Sequence, residues 1–336
     1  MNSKINIIIP SIQLSNELIN CLLKLNNQNY KKFFVTIVLD FKNKIKIPKV
    51  NFKVNELISG KKNMSFKRNL GVKKFNSDLI AFLDSDAYPH KNWLKIAEKL
   101  LSKKINSHVI YGGPSIPFPK QKYEEKLCHY AKRSYYVTGY LNFRKYKAKS
   151  RFCDWVESCN MLMARNLYLK HGGMNVQTYL GEDKELIARM KMRDNSIKVF
   201  YTPKLFVYHK ERSIKKLLLQ RMVFGSDLFN IIKFGNKING FQPILPLIVA
   251  ISFTSIFFIN LNFNIKLITL VAYILSILLL IIFDITKYLK KIKDILLTIL
   301  IIIFANLAYV LGSCFAILGI KNLINRKFYI KSRHNE

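Results

Sequence analysis

The chain has 336 residues, 50% of them hydrophobic, with Lys+Arg 55 against Asp+Glu 20 and a formal net charge of +35. That is too long for one small domain, and it allows a catalytic domain with a further region attached. The Lys, Asn and Ile excess runs through every region, so it reads as compositional drift; it argues against a nucleic-acid partner and leaves attraction to anionic lipid or an anionic substrate. Cys21, Cys128, Cys153, Cys159 and Cys314 are odd in number and lack C-x-x-C spacing, which argues against a disulfide framework or a zinc site and fits a reducing compartment.

The first residues, 1–10, hold one Lys and a short apolar run, too brief for a signal sequence, so the N-terminal region is expected in the cytoplasm. Apolar runs at 5–9 (interrupted by Asn6), 33–39 and 79–83 predict strands, and residues 14–25 between the first two are helix-length. Strands alternating with helical stretches predict an α/β fold with a mainly parallel sheet. A helix carrying Lys67-Arg68-Asn69-Leu70-Gly71 is expected within 60–74, and the mixed aromatic and basic stretch 121–152 is expected as an interfacial loop that meets an acceptor. Residues 214–234 read as one or two amphipathic helices, either lying in a membrane interface or packed on the domain. Three apolar segments follow at 244–261, 265–283 and 295–320, each near the ~20 residues that cross a bilayer. The expected layout is a catalytic domain over 1–212, interfacial helices over 213–240, about three transmembrane helices over 241–320 and a basic tail over 321–336.

The chemistry gathers where the third run stops on acids, Leu83-Asp84-Ser85-Asp86. Two carboxylates one residue apart at the carboxyl end of a buried strand stand where open α/β sheets bind ligands, and they can hold a divalent cation that bridges a diphosphate. Either acid would also serve as a turn cap ahead of Pro89. Upstream lie Ile9-Pro10 with Asn16-Glu17, and a second strand ending on Asp40; downstream come Cys159-Asn160-Met161, Gly172-Gly173-Met174, Gly181-Glu182-Asp183 and Val207-Tyr208-His209. Glu182 and Asp183 also suit the first turn of a helix, and His209 suits either a metal or a backbone partner.

In this order the residues resemble family 2 inverting glycosyltransferases of GT-A fold, especially membrane-attached ones related to exopolysaccharide glucosyltransferases, over roughly residues 4–225. The resemblance implies a nucleotide-sugar donor, usually a uridine diphosphate sugar, Mg²⁺ or Mn²⁺ on its diphosphate, and a lipid-linked or polysaccharide acceptor. Carried over, Pro10, Glu17, Asp40, Arg68 and Asp84 would bind the donor, with Asp40 at the base; Asp84 and Asp86, with His209, would hold the metal. Asp183 would be the general base, with Glu182 beside it. Members that extend polymers carry Gln-x-x-Arg-Trp; here Gln220, Arg221 and Phe224 are the acceptor-binding candidates, and Val223 stands where Arg is expected, which favours addition of a single sugar. Basic clusters flank the last apolar segment on both sides, and an N-in chain with three crossings keeps the cluster at 287–293 on the cytoplasmic side of the membrane. Two other readings fit parts of the pattern: sugar transfer to a polyprenyl phosphate, and an inactive membrane scaffold of the same fold.

Overall fold

The computed structural model describes residues 3–42, 46–101, 108–178, 181–227, 229 and 244–320. They form two compact units, one lying within residues 1–118 and 143–210, the other within residues 119–142 and 211–320.

The first unit is built on an eight-stranded sheet. Strands β1 (Ile5–Pro10), β2 (Phe33–Leu39), β3 (Lys53–Ile58), β4 (Leu79–Leu83), β6 (Val109–Gly112), β8 (Arg151–Cys153), β9 (Asn160–Ala164) and β10 (Lys198–Tyr201) lie in the order β3-β2-β1-β4-β9-β6-β10-β8. The run β3-β2-β1-β4 is parallel, β9 is antiparallel to both its neighbours, and β8 is antiparallel to β10. A second sheet, β5-β11-β7, joins β5 (Ala87–Pro89), β7 (Ser115–Pro117) and β11 (Val207–His209).

The three apolar runs are buried along their whole length, as strands covered on both faces must be. The exception, Asn6, is fully buried and satisfied: its amide donates to Gly71 O (3.2 Å) and accepts from Thr36 Oγ1 (2.8 Å). Strand β3 escaped the sequence reading because it lies at a sheet edge, where Lys53-Val54-Asn55-Glu56 stay partly open to solvent. Helix α1 (Asn16–Leu25) starts at Ser15, whose Oγ accepts from Leu18 N (3.3 Å), and α2 (Met64–Lys74) starts at Asn63, which accepts from Phe66 N (3.0 Å). Helices α3 (Trp93–Leu101), α6 (Arg165–Lys170) and α7 (Glu182–Arg193) complete the unit.

The second unit is helical. The stretch expected as an interfacial loop instead supplies α4 (Tyr123–Arg133) and α5 (Tyr135–Thr138), because Glu125 reaches back to Lys122 N (3.0 Å) and caps α4. Leu127, Cys128, Ala131 and Val137 then join Leu217, Ile285, Ile302 and Ala305 in one core. Helix α8 (Ile214–Ser226) is packed rather than laid flat with a free apolar side. It meets the last helix along glycines: a Cβ on Gly225 would lie 2.0 Å from Tyr309 O, and one on Gly312 would lie 1.9 Å from Met222 O. Small residues at both positions are what let the two helix backbones approach this closely.

Of the three expected spans, two are long enough to cross a membrane: α10 (Phe263–Ile285, 23 residues) and α11 (Ile292–Ile317, 26 residues). The first expected span is α9 (Leu245–Phe258), whose 14 residues rise only about 21 Å, short of a ~30 Å hydrocarbon core. Apolar side chains such as Ile268, Leu279 and Phe283 on α10 stand exposed. Acids mark the ends of these helices: Asp294 accepts from Tyr123 Oη (2.6 Å), and Asp284 accepts from Ser134 Oγ (2.7 Å) and Tyr135 N (2.9 Å). The basic tail over 321–336, and most of the expected interfacial stretch beyond Ser226, lie outside the described residues.

Candidate active site

Strand pairing assembles the first acidic cluster. Leu83 on β4 faces Asn160 on β9 in antiparallel register, so the next step along both chains sets Asp84 across from Cys159. His209 on β11 faces Ala87 on β5, and Lys210 N donates to Asp86 O (3.0 Å) just beyond. His209 Nε2 consequently lies 3.4 Å from Asp86 Oδ1 and 3.6 Å from Asp84 Oδ2. Its Nδ1 is 2.8 Å from Lys210 O, a carbonyl that can only accept; the proton therefore belongs on Nδ1, and Nε2 faces the carboxylates. Burial disfavours the imidazolium, but Asp86 and Asp84 outweigh it and raise the pKa to about 9. The two carboxylate side chains are 31% and 41% exposed, open enough to receive an ion. Two oxygen donors and an imidazole oriented from behind by a carbonyl fit a divalent cation such as Mn²⁺ or Mg²⁺.

The second acidic cluster opens α7 and is differently placed. Gly181 takes the left-handed conformation (φ 69°) at the helix start. Asp183 is buried; its Oδ2 accepts from Ser158 N (2.9 Å) and its Oδ1 from Lys184 N (2.8 Å). Burial and the neighbouring Glu182 raise its pKa to about 6, against the lowering effects of Ser158 N and Arg68. A carboxyl near neutrality that is fixed by backbone donors has the properties of a general base.

Arg68 on α2 joins the two clusters. Its guanidinium is 3% exposed and sits 2.9 Å from Asp84 Oδ1 and 2.7 Å from Glu182 Oε1. Burial opposes its charge, and Asp84, Glu182 and Asp183 more than restore it, so its pKa lies above the usual arginine value. The Gly-Gly-Met turn before α7 is clamped from two sides. Asn69, next to Arg68, donates to Met174 O (2.7 Å) and accepts from Met174 N (2.9 Å). Arg189 of α7 donates to Gly173 O (2.6 Å) and to His171 O. Gly173 is required there twice over, by its φ of 71° and because a Cβ would lie 2.4 Å from Asn69 Oδ1.

The loop that supplies Ser158 and Cys159 is anchored by Glu157. Burial alone would raise its pKa; Lys145 (2.7 Å), Arg144 and the Ser115 hydroxyl (2.8 Å) outweigh that and hold the carboxyl well below the usual carboxylate range. Glu157 and Arg189, and the role of Asn69, do not show in the sequence, because their partners are backbone atoms or residues distant in the chain. Only the spacing Glu185 to Arg189 (i, i+4), an ion pair at 2.6 Å, was there to be read.

Residues 6–164 match the family model for glycosyl transferase family 2. The first unit, which holds most of that match, has the GT-A fold with a mostly parallel central sheet. Among solved structures, TarS from S. aureus aligns over 68% of this chain and 40% of its own, at 16% identity and a TM-score of 0.42. A structure of GalNAc-T7 with UDP, GalNAc and Mn2+ aligns over 63% of this chain and 44% of its own, at 13% identity and a TM-score of 0.48. The chain thus spans less than half the length of either. Curated protein sequences give no match.

Within the GT-A domain, Asp84, Asp86, His209, Glu182 and Asp183 form one connected cluster through Arg68. Arg68, expected to bind the donor, gives one hydrogen bond from each terminal nitrogen to a carboxylate, Nη1 to Glu182 and Nη2 to Asp84. Asp40, at the end of β2, is buried against Lys67 Nζ (2.5 Å), which also donates to Ser11 O (2.5 Å). Pro10 ends β1 beside it, paired with Val38. Glu17 is partly exposed on the first turn of α1 and pairs with Lys210 Nζ (2.8 Å); that hydrogen bond lowers its pKa. Gln220, Arg221 and Phe224 belong to the second unit. There the Arg221 guanidinium lies 4.7 Å over the Tyr309 ring, and Gln220 and Phe224 are half-buried. Val223 is fully buried in the helix packing, which explains why no arginine occupies that position.

Proposed function

We propose that the protein is a membrane-anchored inverting glycosyltransferase that moves one sugar from a nucleotide diphosphate sugar, in the first instance a UDP-sugar, to a lipid-linked or growing surface glycan. The observation that carries this reading is the Arg68 bridge. It ties a strand-end pair of solvent-open carboxylates to a helix start bearing a buried, near-neutral one. A single displacement needs both: a polar cradle for the leaving group and a base for the incoming hydroxyl.

Asp84, Asp86 and His209 would hold a divalent cation, which supplies charge neutralisation for the departing diphosphate. Asp183 accepts the acceptor hydroxyl proton at a carboxylate oxygen as the new bond to the anomeric carbon forms and the nucleoside diphosphate leaves. Ser158 N and Lys184 N keep that carboxylate from turning away, and Arg68 holds Glu182 and Asp84 in fixed relation to it. Asp40, its charge held by Lys67, is assigned to the base end of the donor, with Pro10 and Glu17 at the same edge. Gln220, Arg221 and Phe224 are assigned to the acceptor, and buried Val223 to single addition.

For the membrane part, α10 and α11 rise about 34 Å and 39 Å, enough to cross a bilayer. The bare apolar surface of α10 finds its solvent in lipid. The layout proposed is a catalytic domain within 1–212 on the cytoplasmic side, followed by helices in the cytoplasmic membrane. The test is to incubate the detergent-solubilised full chain with a panel of nucleotide sugars and a membrane lipid extract and to measure nucleotide release. Release from one or a few UDP-sugars, abolished by a chelator of divalent cations, is expected. Undiminished release in excess chelator overturns the metal assignment, and partition of the chain into the soluble fraction without detergent overturns the membrane architecture.

A further inference from the structure

The pairing of β4 with β9 places a thiol among the ligands of a hard-cation site. A carboxylate oxygen of Asp84, Cys159 Sγ and a ring nitrogen of His209 all lie within 4.8 Å of one another. Cys159 is 7% exposed, and its loop is held by Glu157, so the thiol is set in place rather than passing by. Opposite it, Asp84 and Asp86 are partly open, which gives an ion a way in. His209 turns Nε2 toward the site, because Lys210 O holds Nδ1. Sulfur, nitrogen and oxygen donors are the ligand set of zinc, with bonds of about 2.3, 2.0 and 2.0 Å, and modest side-chain rotation closes the three atoms onto such an ion. Magnesium and manganese prefer oxygen and have little use for the sulfur.

Resting on the metal reading above, we propose that Asp84, Cys159 and His209 form a site for a thiophilic divalent ion, zinc foremost, that competes with the activating cation held by Asp84, Asp86 and His209 and so silences transfer. In the binding step the Cys159 S–H bond and the Nε2–H bond of the His209 imidazolium break heterolytically, zinc–sulfur and zinc–nitrogen bonds form, and both protons leave to water; nothing is oxidised or reduced. The two modes share Asp84 and His209, so they exclude each other, and the exchange of Asp86 for Cys159 distinguishes them. Transfer then responds to the ratio of zinc to manganese or magnesium.

Cobalt(II) is the probe, because a thiolate on cobalt gives a near-ultraviolet charge-transfer band that oxygen and nitrogen ligands do not. The full-length protein in detergent should show this band on cobalt titration and lose it on adding zinc. Cys159→Ser and Cys159→Ala should lack the band while binding Mn²⁺ like the parent, measured by electron paramagnetic resonance. In a nucleotide-release assay with Mn²⁺, the zinc midpoint should rise about 10-fold or more in both variants. Mn²⁺ and cobalt binding without the band overturns the zinc site and leaves the activating site standing. A band that persists in both variants assigns the sulfur elsewhere, Cys21 being the control, and also overturns it. Failure of every ion to bind the parent removes the metal reading itself, and the zinc proposal with it.

Discussion

The strand-end acids and the helix-start acids of the GT-A domain are the same chemical groups in opposite surroundings. Asp84 and Asp86 leave a buried strand into partial solvent and face an imidazole whose proton they stabilise. Asp183 enters a helix from a left-handed glycine, is sealed from solvent and is pushed up to about 6 by burial and by Glu182. Separation of carboxylates by environment is how one fold assigns different tasks to like residues. The exposed pair is suited to share a cation, and the buried one is suited to take a proton.

The comparison breaks hardest at Asp86. Asp86→Ala removes an oxygen ligand without touching the Arg68 bridge, and transfer should fall roughly 10³-fold, as loss of several kcal/mol of charge stabilisation implies. Mn²⁺ binding should be lost in parallel, so electron paramagnetic resonance and nucleotide release check the same variant. Asp183→Asn should cost about 10² or more in turnover with donor affinity nearly unchanged, because it deletes the proton acceptor and leaves the metal cluster intact. A variant with full turnover would place the base elsewhere.

Much of this division was legible in the chain. Five unbroken apolar residues ending on Asp84 announce a buried strand with acids at its mouth, and Gly181-Glu182-Asp183 announces a helix start. What joined them was not legible. Arg68 pairs with Asp84 and Glu182, and Cys159 meets Asp84, only through strand register and helix packing between segments far apart in sequence. The same cause hid α4 and α5: their aromatic and basic composition reads as a loop, yet their apolar side chains belong to the core of the helical unit. The glycine seam between α8 and α11 was likewise invisible, since Gly225 and Gly312 have meaning only once their helices touch.

Arg68 tests whether the bridge tunes the base. Its positive charge lowers the Asp183 pKa, so Arg68→Met should let that pKa rise and carry the acidic limb of the rate profile to higher pH. The variant also leaves Asp84 and Glu182 without their shared cation. A lower melting temperature should accompany the shift, moderated by the partial exposure of both carboxylates. A melting loss with an unmoved pH limb would reduce Arg68 to a structural strut.

The smallest effect is expected at Glu182, and its direction is the most informative. Glu182 adds to the upward push on Asp183, second only to burial, whereas Arg68 opposes it. Glu182→Gln keeps the length and the hydrogen bond to Arg68 but removes the charge. Asp183 then needs less alkaline conditions to lose its proton, because the ionised form no longer faces a like charge beside it. The base form fills as pH rises through about 6 in the parent, so the acidic limb should move to lower pH in this variant. Above neutrality the turnover should stay close to that of the parent, since Asp183 is already ionised there. Arg68→Met and Glu182→Gln therefore displace one limb in opposite directions, a pattern that general loss of structure does not produce. If Glu182→Gln instead abolishes turnover at every pH while Asp183→Asn is tolerated, Glu182 is the proton acceptor, and the buried and exposed members of this pair have exchanged their tasks.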